Sequence, residues 1–276
     1  MKAKILLNAL FLLTISAFLF SGCAKEVANI LQKESTADRN SIFAEQTFDR
    51  EEVLADAEVL TPGGVKSTEA VSGFGSQCLI KTFDLVSNPK KLTLDFGTSN
   101  CLCADGKNRR GKMHMTFNGS IMDSLTVVSM TFENYFVNED QVIGTRSITT
   151  KGRNAAGHLN QDISTNGSIV MANSGGTITY LSDQNRERTA GEKTLAANDD
   201  VYSITGSASG TTTAGQAFTI SIATPLVWNM SCTNFVSGVL ELKPAGDPKR
   251  SIDFGNGNCD NSATVKVLGI SFQITL

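Results

Sequence analysis

Apolar and polar residues alternate along most of the chain after residue 65. Every second residue is apolar in Lys112–Phe117, Gln216–Ala223 and Gly269–Leu276. A period of two is that of a β-strand with one buried face. Turn pairs such as Asn118-Gly119 separate these runs, and their close spacing leaves no room for crossover helices. The pattern therefore predicts an all-β fold, an antiparallel multi-stranded sandwich or open barrel of roughly a dozen to fifteen strands.

Residues 1–22 have the layout of an export signal. Lys2 and Lys4 precede an apolar run, Ile5–Phe20, that is shorter than the ~20 residues of a membrane-spanning helix. The run ends in F-S-G-C, which resembles the lipobox of bacterial lipoproteins. We therefore expect cleavage before Cys23 and lipidation of Cys23, which becomes the first residue of the mature protein.

The lipobox resemblance implies a compartment. Bacterial lipoproteins carry several acyl chains, and two or more chains anchor a protein stably. We expect the membrane to be a partner through this lipid anchor, and the location to be the cell envelope. Ala24 replaces the Asp that retains lipoproteins at the inner membrane, which favours the outer membrane, at its periplasmic face or at the cell surface.

Residues 23–64 differ in composition from the rest, because residues 24–60 are rich in charges of both signs and contain no Gly. We interpret this segment as a lipidated, solvated tether with up to one short helix, because Ser41–Leu60 has helical character and Asp49–Glu52 could start a helix. Thr61–Gly64 would end any helix. The folded domain is then expected over 65–276, a length sufficient for one hydrophobic core.

A sequence repeat and the cysteines predict two hairpins. Lys91–Cys101 and Arg250–Cys259 share D-F-G-x-x-N-C, and each is preceded by a cysteine, a β run and a turn. The repeat units are 78–117 and 232–276. Facing residues of a hairpin have a constant sum of positions, which pairs Cys232 with Cys259 and pairs Cys78 with either Cys101 or Cys103. Side-chain alternation does not separate the last two, and the repeat selects Cys101 because it is the equivalent of Cys259. The predicted disulfides are Cys78–Cys101 and Cys232–Cys259, with Cys103 unpaired or a rival partner for Cys78.

Longer motifs resemble a family of bacterial lipoproteins that is functionally uncharacterised. They are D-F-G-x-x-N-C-x-C-x-D-G-x-x-R-x-G-K at Asp95–Lys112, T-F-E-N-Y-F-V-N at Thr131–Asn138, G-T-R at Gly144–Arg146, and I-D-F-G-N-G-N-C-D-N-x-A-T-V at Ile252–Val265. The resemblance covers about residues 75–276. It implies the envelope compartment and the extent of the domain, and it supplies no catalytic residue.

The sequence offers little catalytic chemistry. His114 and His158 are the two histidines, and we expect both to lie on the surface. The sequence has no nucleophile elbow (G-x-S-x-G), no zinc-binding helix motif (H-E-x-x-H) and no phosphate-binding loop motif. Asn256, Asn258 and Asp260 form an oxygen-rich loop that could hold Ca²⁺, although such clusters are ordinary in turns. We expect no metal and no cofactor.

Charge restricts the partners. The net charge of −3, which becomes more negative once Lys2 and Lys4 are removed, argues against nucleic-acid binding. Lys107, Arg109, Arg110 and Lys112 cluster at a predicted hairpin tip. They are candidates for binding an acidic polysaccharide or lipid headgroup. The alternative is that they are solvated turn residues that bind no ligand.

The sequence is compatible with two functions. One is a non-catalytic, membrane-anchored envelope lipoprotein with a binding or structural role and a glycan or envelope protein as partner. The other is a glycan hydrolase that uses paired carboxylates. Convergence of Asp or Glu side chains in a concave pocket would favour the hydrolase.

Overall fold

The computed structural model describes residues 35–60, 74–194 and 197–276. The predicted signal peptide, the predicted lipidation at Cys23 and the predicted boundary at Thr61–Gly64 lie outside the described residues.

Helix α1 spans Thr36–Leu60. Its start is capped reciprocally, because the Asp38 backbone N–H donates to Ser35 Oγ at 3.1 Å and the Ser35 N–H donates to Asp38 Oδ2 at 2.8 Å. The helix contains the whole stretch Ser41–Leu60 to which the sequence gives helical character, and it begins well before the possible start at Asp49. In the described part of the chain, no helix has the length and apolar character needed to cross a membrane.

In the described residues, the strands form one antiparallel sheet of 14 strands. They are β1 Ile80–Asp84, β2 Lys90–Asp95, β3 Cys101–Leu102, β4 Asn108–Phe117, β5 Val127–Val137, β6 Asp140–Arg153, β7 Leu159–Val170, β8 Thr177–Ala190, β9 Val201–Thr211, β10 Ala217–Asn229, β11 Ser237–Pro244, β12 Arg250–Asn256, β13 Ser262–Val267 and β14 Ile270–Thr275. Apart from β3, which pairs with β4, the order in the sheet follows the order in the chain, and a short 3₁₀ helix, Ala197–Asp199, precedes β9. The edge strands β1 and β14 leave the sheet open. The all-β antiparallel prediction is therefore confirmed, with one open sheet in place of the two packed sheets of a sandwich.

Side-chain alternation defines an inner and an outer face of the sheet. In β4, Met113 and Met115 are fully buried, whereas His114 between them points outward. In β10, Phe218 and Ile220 are buried, and Thr219 between them is exposed. The period-two segments thus place their apolar residues on the inner face, as predicted.

The sheet curls around α1, because side chains from distant strands reach the same helix. Lys81 of β1 contacts Glu58 near the end of the helix, and Arg250 of β12 contacts Asp38 near its start. Every residue of Thr47–Ala55 is buried, and a stretch longer than two turns faces all directions around the helix axis. This corrects the expectation of a solvated tether, since residues 36–60 belong to the folded core.

The two repeat units fold alike. Asp95 Oδ1 accepts a hydrogen bond from the Gly97 N–H at 2.8 Å, and Asp253 Oδ1 accepts one from the Gly255 N–H at 2.9 Å. Both glycines have positive φ, +80° and +94°, so the D-F-G motif makes the same local bend in both units, at the end of β2 and within the last residues of β12. The phenylalanine of each motif is buried.

The cysteine pairs lie where the hairpin geometry predicts them. Cys78 and Cys101 are disulfide-bonded with Cα atoms 5.9 Å apart, and Cys232 and Cys259 with Cα atoms 5.3 Å apart. Both separations are ordinary for disulfides. Cys103 is buried and is outside both disulfides.

Candidate functional site

The inner face of the sheet carries arginines at positions where alternation otherwise places apolar residues. We call four of them, from four different strands, the arginine array: Arg109 of β4, Arg146 of β6, Arg186 of β8 and Arg250 of β12. All four are buried. A buried guanidinium needs an anionic partner, because removing it from water is costly.

Helix α1 supplies these partners. Glu45, Asp49, Glu52 and Asp56, spaced by four, three and four residues, lie on one helix face that we call the acidic stripe. Arg146 pairs with Asp49 and reaches Glu52 at 3.3 Å. Arg186 Nη2 donates to Glu52 Oε1 at 2.6 Å. The polar side of the helix therefore faces a cationic wall of the sheet.

Charges on the acidic stripe are not balanced one to one, since four carboxyl groups face two guanidinium groups. Burial, with a further contribution from Asp49, raises the pKa of Glu45 to about 7. Burial and the neighbouring Glu52 raise the pKa of Asp56 well above its usual range. For Glu52 itself, Arg186 and Arg146 outweigh burial and lower the pKa. Burial also raises the pKa of Asp49, so the surroundings favour the protonated form at Glu45, Asp49 and Asp56.

Neutral hydrogen-bonding groups surround Glu45. Tyr180 and Gln184, both on the inner face of β8, donate to its two carboxyl oxygens. Burial is the first cause of the raised pKa of Tyr180 as well, so the hydroxyl stays protonated. This part of the stripe is fixed by donors that carry no charge.

A second ion-pair cluster lies on the other side of the helix. Arg109 Nη2 pairs with Glu51 Oε1 at 2.7 Å, and Arg109 Nη1 pairs with Asp105 Oδ1 at 2.8 Å. The Tyr135 hydroxyl donates to Glu51 Oε2 at 2.5 Å. The guanidinium lies 4.9 Å from the Phe74 ring centroid.

Arg50 ties the helix to the second disulfide hairpin. Its Nη2 donates to the carbonyl oxygens of Cys232 at 3.0 Å and Thr233 at 2.9 Å. Its guanidinium lies 5.0 Å from the centroid of the buried Trp228 ring. The helix is therefore bonded to both repeat units of the sheet.

The predicted anion-binding cluster does not form one exposed surface. Alternation along β4 sends Arg109 inward, and Arg110 lies outward, 2.7 Å from Glu139. Lys112 pairs with Asp95 at 3.0 Å. Lys107 is partly buried, and burial lowers its pKa. The prediction is wrong for Arg109, and the Arg110 and Lys112 charges meet surface carboxylates.

The other predicted residues are exposed or paired on the surface. Asn258 donates to Asn256 Oδ1 at 3.0 Å, and Asp260 accepts from the Ser262 N–H at 3.0 Å, so this loop is held by ordinary turn bonds. No group of three or more His, Cys, Asp or Glu suited to a metal ion occurs among the described residues. His114 contacts Glu133 at 2.9 Å, and His158 contacts Glu187.

A small cavity lies beside the end of the acidic stripe. Its walls include Asp56 of the helix and Arg186, Arg188, Asp200 and Tyr202 of the sheet side. The free space is about 20 Å³, which is room for about one water molecule. Asp56 and Asp200 thus both line a cavity that has no space for a sugar.

A larger cavity, the N-terminal cavity, lies where α1 begins. Its volume is about 580 Å³. Its walls come from the first turns of the helix, three hairpin turns and the end of β14. Residues that line it are Thr36, Arg39, Asn40, Ile42, Phe43, Gln46, Asp140, Met171, Ala172, Gly175, Thr213, Thr275 and Leu276.

Comparisons of the chain with protein families, with curated proteins and with solved structures find no match. No function is therefore transferred from a relative.

Neither the arginine array nor the N-terminal cavity was predicted from the sequence. A signal for the array exists in β8, whose inner face runs from Ile178 and Tyr180 in steps of two to Gln184, Arg186 and Arg188. Charged residues at the inward-facing positions of a strand indicate that oppositely charged partners are buried beside them. The cavity has no comparable signal, because its walls come from segments far apart in sequence.

Proposed function

We propose that this protein is a membrane-anchored lipoprotein of the bacterial cell envelope, held in the outer membrane, with a non-catalytic binding role. The observation that carries the binding role is the N-terminal cavity, whose volume falls within the about 300–1,000 Å³ of small-molecule sites. The charged start, apolar run and F-S-G-C end of residues 1–23 support the anchor.

The arrangement of carboxylates favours binding over glycan hydrolysis. A glycosidase holds its two carboxyl groups across an open space that admits a sugar. Among the described residues, the acidic stripe is enclosed between helix and sheet, and the carboxyls of Asp56 and Asp200 border space for about one water.

The anchor is tested with Cys23→Ala in the full-length chain. We expect wild-type protein to start at Cys23, to carry the mass of a lipid and to partition into detergent, and the variant to lose all three properties. Cys103→Ala is the matched control and should behave like wild type. A Cys23→Ala protein that partitions like wild type would refute the anchor.

Catalysis is tested separately by incubating the purified protein with envelope glycans. The proposal predicts no release of reducing ends above background. Release that is abolished by Asp56→Asn or Asp200→Asn would favour the hydrolase instead.

A further inference from the structure

The N-terminal half of α1 leaves one stripe partly exposed, in contrast to the enclosed stretch Thr47–Ala55. Thr36, Arg39, Asn40, Phe43 and Gln46 recur at helical spacing and are exposed or partly exposed. All of them line the N-terminal cavity. The sheet therefore encloses the helix tightly over Thr47–Ala55 and leaves space beside its first turns.

The chemistry of the space is mainly apolar. Ile42 and Phe43 border it from the helix, and Met171, Ala172 and Leu276 border it from the sheet. Methionine is flexible and fills irregular apolar contacts. An apolar space of this size that stays in contact with water is unfavourable, so an apolar ligand would stabilise it.

Two polar side chains in the wall are occupied in holding the wall together. Asn40 Oδ1 accepts the Thr213 N–H at 2.8 Å, which fixes the helix to the β9–β10 turn. Asp140 Oδ1 accepts the Ala172 N–H at 2.8 Å, which fixes the β7–β8 turn. These two polar groups thus serve the scaffold, whereas the buried Nε2 of Gln46 in the same wall has no hydrogen-bond partner among the described residues. Most of the exposed surface of the wall is apolar, and this favours an aliphatic chain over a sugar.

We infer that the N-terminal cavity binds one acyl chain of a lipid from the membrane that holds the protein. The inference rests on the proposed anchor and names the ligand class of the proposed binding role. Residues 23–35 span at most about 40 Å when extended, so an anchor at Cys23 keeps the cavity close to membrane lipids. A free membrane lipid is favoured over the protein's own anchor, because withdrawing an anchor chain from the bilayer weakens the attachment.

The test uses the secreted full mature chain with Cys23→Ser and dansylated undecanoic acid as a fluorescent probe. We expect saturable binding with a rise in dansyl fluorescence. Ala172→Trp, which places an indole ring in the wall of the cavity and narrows it, should weaken binding by more than about tenfold. Ala156→Trp, in the exposed turn between β6 and β7, is the matched control and should bind like the parent. Circular dichroism and disulfide mapping verify that both variants fold.

Two results would overturn the inference at this stage. They are the absence of saturable binding by the parent, and equal binding by Ala172→Trp and Ala156→Trp in their folded forms. Because this protein has no lipid of its own, the result is independent of whether Cys23 is lipidated in the cell. Failure of the anchor and failure of the cavity are therefore distinguishable.

The source of the acyl chain is tested with lipidated wild-type protein extracted from membranes. Native mass spectrometry should show the added mass of one non-covalent lipid, which is lost on denaturation and is missing from Ala172→Trp. Probe binding by the Cys23→Ser chain combined with no added lipid on the wild type would mean that the protein's own anchor fills the cavity. That outcome would overturn the assignment to a membrane lipid.

Discussion

Arg109 and Arg110 are consecutive residues of β4 that meet opposite environments. Arg109 is 0% exposed and bonds to Glu51 and Asp105 beneath the helix. Arg110 bonds to Glu139 on the outside and stacks 3.9 Å from the Phe136 ring centroid. The pair offers a comparison of a buried and an exposed ion pair within one strand.

Replacing each arginine by methionine should have very different effects. Arg109→Met leaves the Glu51 and Asp105 carboxylates without their cation, which should lower the free energy of unfolding by about 3–5 kcal/mol. Arg110→Met breaks a surface pair and should cost less than about 1 kcal/mol. Urea unfolding monitored by circular dichroism measures both. Similar small losses in the two variants would contradict the burial of Arg109.

Glu45 makes stability depend on pH. Its pKa is about 7 in the folded protein against an ordinary 4.5, with burial as the first cause and Asp49 as the second. A raised folded-state pKa means that the stabilisation by the bound proton is complete below pH 4.5 and disappears as the pH rises to about 7. The loss should be about 3 kcal/mol.

Glu45→Gln isolates this effect, because it removes the titrating group and keeps a polar side chain beside Tyr180 and Gln184. Unfolding free energies are measured from about pH 5 to pH 8 for wild type and variant, a range that spans the folded-state pKa. The free energy of unfolding of wild type minus that of Glu45→Gln should fall across this range. If this difference does not change with pH, or if it rises with pH, the assigned protonation of Glu45 is contradicted.

The hairpins were predictable at the scale of the element. A period of two fixes which strand residues face inward, and turn residues fix where each hairpin reverses. The repeated D-F-G-x-x-N-C motif then selects Cys101 over Cys103, which the alternation alone does not separate. These features are local in sequence, so no knowledge of distant contacts is needed.

Non-reducing peptide mapping should find the bridges Cys78–Cys101 and Cys232–Cys259. Cys103 should react with alkylating reagents only after unfolding, because it is buried and burial raises the pKa of its thiol. Replacing Cys232 and Cys259 together by Ala should lower stability by about 3.5 kcal/mol in the chain-entropy model. A peptide that joins the two repeat units would contradict the hairpin register.

The burial of the helix in the core could not be predicted in the same way, because its partners are distant from it in sequence. Glu45, Asp49 and Glu52 resemble a solvated charged face when α1 is considered alone. Arg146 and Arg186, considered alone, interrupt apolar strand faces. Each pattern is unfavourable in a core and becomes favourable only when the two surfaces meet. The same reason explains why Arg109 was placed in an exposed basic cluster.

At the scale of the whole molecule, helix and sheet depend on each other. Without α1, the arginine array and inner apolar residues such as Trp228 would lie uncovered. Without the sheet, α1 would lose both its ion pairs and its buried contacts through Phe48 and Leu54. We therefore regard the charged segment as the centre of the fold, with the N-terminal cavity left beside its first turns.

Native-state hydrogen exchange tests this central claim most directly. It compares the backbone amides of Thr47–Ala55 with those of the neighbouring strands β7 and β8 in the folded full chain. Enclosure by the sheet predicts that the helix amides exchange as slowly as the strand amides, through a common global opening. Rapid exchange of the helix while the strands stay protected would contradict the account and return residues 36–60 to the role of a solvated tether.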